Sequence, residues 1–161
     1  MSEANQGGGP DRPLILCIGN TMRGDDGDGP AAAERLRPLL GARADIEESW
    51  GEGTELMQAW QGRDRVFVVD AATSGAAIGT VHVFDAAAQS LPTDFFCYTT
   101  HRFGLAEAVE LARQLGELPE RLTIYAVEGA NFELGEGLSA AVDAAVDRVV
   151  ERVSAALTDP A

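Results

Sequence analysis

The amino-acid sequence predicts a three-layer α/β/α domain on a mostly parallel five-stranded sheet, with one strand antiparallel. Three observations predict it. Leu14–Ile18 and Val66–Val69 are unbroken apolar runs, as in strands covered on both faces. Stretches with helical spacing alternate with the strands. One step differs: Thr80–Asp85 alternates side chains and follows the previous strand after only Ala71–Gly79, too short for a helical crossover. That strand should run antiparallel. With right-handed crossovers elsewhere, the first and third strands lie side by side where the sheet reverses direction, and the gap between them forms a binding crevice.

Met1–Pro13 reads as a disordered tail with a Gly7–Pro10 hinge, and residues 158–161 as a short C-terminal tail. Between them, residues 14–157 form a single domain. Strand one, Leu14–Ile18, feeds a loop containing Gly24, Gly27 and Gly29, and Pro30 opens a helix over Ala31–Leu40. Ala33, Leu36 and Leu40 mark its inner face. Ala44–Trp50 is the second strand, acidic enough for an edge, with Ile46 and Trp50 inward. Thr54–Trp60 is a helix whose Leu56, Met57 and Trp60 pack on the core. Arg65–Asp70 is the third strand and Thr80–Asp85 the fourth. His82 on that half-exposed strand reads as a surface residue. Pro92 and the aromatic cluster Phe95, Phe96 and Tyr98 cover the sheet edge. A helix runs from Leu105 to Leu115 with Leu105, Ala108, Ala112 and Leu115 inward, Arg121–Val127 is the last strand, and Ser139–Leu157 the last helix. Val142, Val146, Val149, Val150 and Val153 give that helix one apolar stripe.

A chain of 161 residues suits one domain with a proper core. The net charge of −14, from 26 acidic against 12 basic residues, argues against nucleic-acid and anionic-membrane partners. No apolar run approaches the ~20 residues that span a bilayer, and the N-terminal stretch lacks the plan of a signal peptide. A cytoplasmic location is expected. Cys17 and Cys97 offer neither a disulfide framework nor metal-ligand spacing, and read as small buried hydrophobes.

Chemistry gathers at the carboxyl edge of the sheet. A glycine loop between strand and helix commonly cradles phosphate, but this one carries Asp25, Asp26 and Asp28, which suit a cation instead. Asp70 ends strand three on the same edge, and His101 stands at the start of a helix beside Thr99 and Thr100. Two carboxylates and an imidazole can hold a divalent metal, zinc or nickel, with open positions for other ligands. Neither a nucleophile-elbow serine nor an exposed cysteine beside a histidine is visible, so covalent catalysis is poorly supported. A dinucleotide site is disfavoured, because Gly-x-Gly-x-x-Gly is missing and anions stand where pyrophosphate would sit.

Three blocks carry a resemblance. Gly19-Asn20-Thr21-Met22-Arg23-Gly24-Asp25-Asp26-Gly27-Asp28-Gly29, Val68-Val69-Asp70-Ala71 and Thr99-Thr100-His101 with Leu105 resemble the hydrogenase maturation endopeptidases. The resemblance extends from Leu14 to about Leu157. It implies an α/β/α fold with one antiparallel strand, and an endopeptidase that recognises nickel in the precursor of a [NiFe] hydrogenase large subunit and removes its C-terminal extension. It places the metal-contacting and catalytic set on Asp26, Asp70 and His101, with Asp25 as a supporting acid. The nickel would arrive with the precursor, and no organic cofactor is implied. One departure concerns the loop after strand two: many relatives carry an Asp-Gly-Gly-Thr-like segment where this chain reads Glu48-Ser49-Trp50-Gly51-Glu52-Gly53-Thr54. The metal could polarise a carbonyl or activate water, or serve as a recognition tag while Asp25 or Asp26 acts as base. A non-enzymatic nickel-binding chaperone using the same three ligands is the alternative.

Overall fold

The structure is a computed structural model that describes residues 11–92, 95–96, 103–135 and 137–158. The elements run β1 (Leu14–Ile18), α1 (Asp28–Leu40), β2 (Asp45–Ser49), α2 (Gly53–Trp60), β3 (Arg65–Ala72), β4 (Val81–Asp85), α3 (Leu105–Leu115), β5 (Arg121–Glu128) and α4 (Ala140–Thr158). They form one five-stranded sheet in the order β2-β1-β3-β5-β4. The pairs β1–β2, β1–β3 and β3–β5 are parallel, and β4 pairs antiparallel with β5. The predicted fold class and the adjacency of β1 and β3 are both present. After β3 the chain passes over the position that β5 later fills, and β4 becomes the far edge.

The apolar runs are buried on both faces because helices cover both. Ile15, Cys17, Phe67, Val69, Tyr125 and Val127 face α1 and α4, whose valine stripe closes that layer. Leu14, Leu16, Val66, Val68, Leu122 and Ile124 face α2 and α3, with Trp60 and Leu56 packed among them. Cys17 is fully buried on the α1/α4 face, and burial holds its thiol protonated, as expected of a small hydrophobe.

Several boundaries and orientations differ from the sequence reading. Helix α1 starts at Asp28, three residues earlier than expected, because Gly29 can lie against β1: a Cβ there would stand 2.1 Å from the Ile18 carbonyl oxygen. Trp50 is exposed rather than inward, since β2 ends at Ser49 and the chain turns away through Gly51. Leu115 is also exposed, at the last turn of α3 where the helix leaves the sheet. Arg12, within the stretch read as tail, is held by Asp45 at 2.7 Å and by carbonyls of the α1–β2 turn. Phe95 and Phe96 do lie over the sheet: Phe95 packs on Ala72 and Ala126, and Phe96 bridges to Ala72. Cys97, Tyr98, Thr99, Thr100 and His101 lie outside the described residues.

Candidate active site at the carboxyl edge of the sheet

The glycine loop folds back over the end of β1 and is stitched to the segment after β5. Gly24 adopts φ +58°, and a Cβ there would come within 2.3 Å of the Asn131 carbonyl oxygen. The stitching bonds are Gly24 N–H to Gly135 O at 2.8 Å, Gly135 N–H to Met22 O at 2.8 Å, and Asp25 N–H to Asn131 O at 2.7 Å.

Asp25 is the pin of this arrangement. Its buried carboxylate accepts from the amides of Ala130 (2.8 Å), Asn131 (3.1 Å) and Ser139 (2.7 Å), and from the Ser139 hydroxyl (3.2 Å). Burial pushes its pKa up, but the amides of Ala130, Ser139 and Asn131 outweigh it and hold the group below its ordinary value. A carboxylate so fully engaged is a poor general base. Its role as a supporting acid fits these bonds.

Asp26 is half-buried on the same turn, with Oδ2 accepting from Asn20 N–H at 3.1 Å. Asp70 lies near the carboxyl end of β3, which continues to Ala72 and so runs two residues beyond the expected end, and is 7% exposed, with Oδ1 accepting from the Ala71 amide at 2.8 Å. Burial drives its pKa well up, against the Ala71 bond, and the neighbouring charge of Asp26 raises it further. The two expected carboxylates therefore sense each other across the β1–β3 gap. Asp28 shares this field. It is fully buried in the first turn of α1, and neither carboxylate oxygen has a hydrogen-bond partner among the described residues. Burial, then Asp70 and Asp26, push its pKa far above the ordinary range, although the nearby Gly29 amide works the other way.

Among the described residues no three His, Cys, Asp or Glu side chains converge to hold a metal by themselves. Asp26 and Asp70 are two of the three residues expected to do so, and the third, His101, is outside the described residues. The nearest described residue after it, Phe103, is anchored: its carbonyl accepts from Gly53 N–H at 2.8 Å, at the start of α2.

A second polar centre went unrecognised in the sequence. Glu128, at the carboxyl end of β5, is 2% exposed and gathers four partners: Ser74 N–H (2.7 Å), Ser74 Oγ (2.6 Å), Gly75 N–H (3.1 Å) and His82 Nε2 (3.0 Å). Burial raises its pKa, but Ser74 and His82 together bring it below the ordinary value. His82 is thus a partner of a buried carboxylate, not a plain surface residue, and its ring meets Phe95 edge-on at 4.7 Å. The register puts it in one row with Asp70, since both pair with Ala126. That spans two strand spacings, about 10 Å. The signal was available, because a carboxylate closing an apolar strand is the feature that singled out Asp70.

On the other side of the loop, against α1, lies a cleft of about 480 Å³ lined by Thr21, Pro30, Glu34, Arg37, Glu48 and Leu138 among others.

The family model described as hydrogenase maturation protease matches residues 51–156. Hydrogenase 2 maturation protease of Escherichia coli K12 is 31% identical over 152 residues, covering 92% of both chains. The chain belongs to the hydrogenase maturation protease family. Solved structures agree with this membership. Hydrogenase maturating endopeptidase HybD from E. coli superposes with a TM-score of 0.77 at 29% identity, covering 91% of this chain and 92% of that one. The [NiFe] hydrogenase maturation protease HycI from Thermococcus kodakarensis gives 0.67 at 25% identity, covering 92% and 93%. The fold described above is thus that of a maturation protease, a family of hydrolases, and Asp26 and Asp70 lie toward the carboxyl edge of its sheet.

Proposed function

We propose that this protein is the endopeptidase that removes the C-terminal extension from the precursor of a [NiFe] hydrogenase large subunit, after recognising nickel already seated in that precursor. The observation that carries the reading is the pairing of Asp26 and Asp70 at one sheet edge. Asp70 is buried, has one carboxylate oxygen committed to Ala71, and is raised in pKa by burial and by the charge of Asp26. Two carboxylates that repel each other, one of them buried, gain most from a cation shared between them. Asp26, Asp70 and His101 are assigned as the residues that would meet the precursor's nickel, which is part of the substrate. No organic cofactor is assigned. Family membership supports the hydrolytic activity, and the absence of a helix long and apolar enough to cross a membrane among the described residues is compatible with a cytoplasmic site of action.

This chain's own residues supply holding and positioning. Asp25 pins the turn that carries Asp26, and the Ala71 amide fixes the Asp70 carboxyl. Asp26 is the better candidate for taking a proton from water, because the Asp25 oxygens are spent on amides. The test is processing of purified precursor by Asp26→Asn and Asp70→Asn. Both should lose cleavage while keeping their fold, and cleavage at the normal rate by either would remove that residue from the site.

A further inference from the structure

Glu128 holds a buried charge that the proposed chemistry does not use. Its side chain reaches toward the strand of Asp70. Oε2 accepts from the amides of Ser74 and Gly75, in the loop that follows β3, and Oε1 accepts from the Ser74 hydroxyl and pairs with His82 Nε2 on β4. Ser74 stands four residues after Asp70, so Glu128 ties down the chain as it leaves the Asp70 strand.

The main chain of the same residue leads to the turn of Asp26. Glu128 ends β5 opposite Ala72, and the next amide, Gly129 N–H, donates to Ala72 O at 3.0 Å. The two amides after it, Ala130 and Asn131, hold the Asp25 carboxylate, and Asn131 O accepts from Asp25 N–H. Gly129 fits there because it has no side chain: a Cβ would stand 2.9 Å from the Asp25 Cβ and 2.7 Å from the Phe132 ring. One buried carboxylate therefore joins the loop after Asp70 to the segment that grips the residue before Asp26. A buried carboxylate engaged at both oxygens is costly to unmake, and the segments it joins have little freedom to shift.

We propose that Glu128, supported by Ser74 and His82, is a positioning residue that sets the turn carrying Asp26 against the end of β3 carrying Asp70. What those two carboxylates do rests on the proposed function, whereas the joint itself is a property of this chain alone. Glu128 acts through Asp25 and Ser74 and meets neither precursor nor metal. A misplacement of about 1 Å at a reacting centre can cost about a hundredfold in rate. Loss of the joint is therefore felt in turnover, not in affinity for the precursor.

The test compares wild type with Glu128→Ala, Glu128→Gln, His82→Ala and Asp45→Ala, at a temperature where circular dichroism shows each to be folded. Asp45 pairs with Arg12 and Arg63 at the start of β2, so its loss destabilises the fold away from the carboxyl edge. Glutamine suits the Glu128 position: its carbonyl can accept from the Ser74 and Gly75 amides while its amide donates to the Ser74 hydroxyl and to a neutral His82 ring. With nickel-loaded precursor, Glu128→Ala should lower kcat about tenfold or more and leave KM within about twofold. His82→Ala should lower kcat by a smaller factor, and Glu128→Gln and Asp45→Ala should keep it. Without precursor, hydrogen exchange at the Asp25 and Gly129 amides, relative to Leu36 in α1, should quicken about tenfold in Glu128→Ala and not in Asp45→Ala. If Glu128→Ala fails to fold, His82→Ala carries both readouts. Unchanged relative exchange in Glu128→Ala and His82→Ala would overturn the proposal. So would a Glu128→Gln as slow as Glu128→Ala, or an equal loss of kcat in Asp45→Ala, which would reduce the effect to stability. Wild type that leaves the precursor uncut would refute the protease reading instead, and the exchange measurement would still decide whether Glu128 sets the turn.

Discussion

Asp28→Leu exchanges a fully buried carboxyl group, unpartnered among the described residues, for an apolar side chain with the same branching. Mutational data put the cost of burying such a polar group without a hydrogen bond at about 1–3 kcal/mol. Against this, an acid in the first turn of α1 favours the helix dipole by about 0.3–1 kcal/mol, and that is lost. The net expectation is a gain of about 1–2 kcal/mol, or about 2–8 °C in Tm for a chain of this size. The gain should depend on pH, with a definite sign. The folded-state pKa of Asp28 is raised, so the wild type keeps its full stability below the unfolded carboxylate range and loses it as pH rises through the folded value. The advantage of the leucine variant should therefore be smaller near about pH 4–5 than near about pH 8. Urea denaturation at both pH values reads this directly. Asp28→Asn, which removes the charge but keeps polar atoms without partners, should gain less. Destabilisation of Asp28→Leu by more than about 1 kcal/mol at the higher pH, or a gain independent of pH, would refute the reasoning.

Other perturbations test other joints. Asp25→Ala removes four hydrogen bonds at once and should cost about 3 kcal/mol in denaturation experiments. Because the folded pKa of Asp25 is depressed, its contribution is present above the unfolded carboxylate range and lost as pH falls through the folded value, so this variant should show a shallower acid transition than wild type. His82→Ala leaves the buried Glu128 carboxylate short of one partner and should destabilise by about 1–2 kcal/mol, outside the ±0.5 kcal/mol or so of a plain surface change. Gly24→Val, at positive φ and against the Asn131 carbonyl, should unpin the loop and be visible as faster amide exchange at Asp25 and Gly135.

Much of the fold was legible because burial leaves a local mark. The apolar runs of β1 and β3, the valine stripe of α4 and the short β3–β4 step each state their environment within a few residues. Side chains whose surroundings come from distant segments carry no such mark. Glu128 is defined by Ser74 and His82, 54 and 46 residues away, so His82 looked like a surface residue of an alternating strand. Asp28 looked like one more loop acid, because its burial follows from α1 beginning three residues early against Ile18. Trp50 fitted the inward parity of β2, and what exposes it is the end of the strand one residue before. Asp26 and Asp70 were legible for the opposite reason: strand ends in a parallel sheet share one edge, so sequence order alone brings them together.

Cleavage of a nickel-loaded hydrogenase precursor, the activity proposed for this chain, can be read directly. Purified protein is mixed with purified large-subunit precursor, with and without nickel, and the product masses are read by intact mass spectrometry. A single C-terminal cut is expected in the nickel-loaded precursor, none in the nickel-free one, and none with Asp70→Asn. Uncut nickel-loaded precursor in stable complex with the wild-type protein would contradict it and favour the non-enzymatic chaperone.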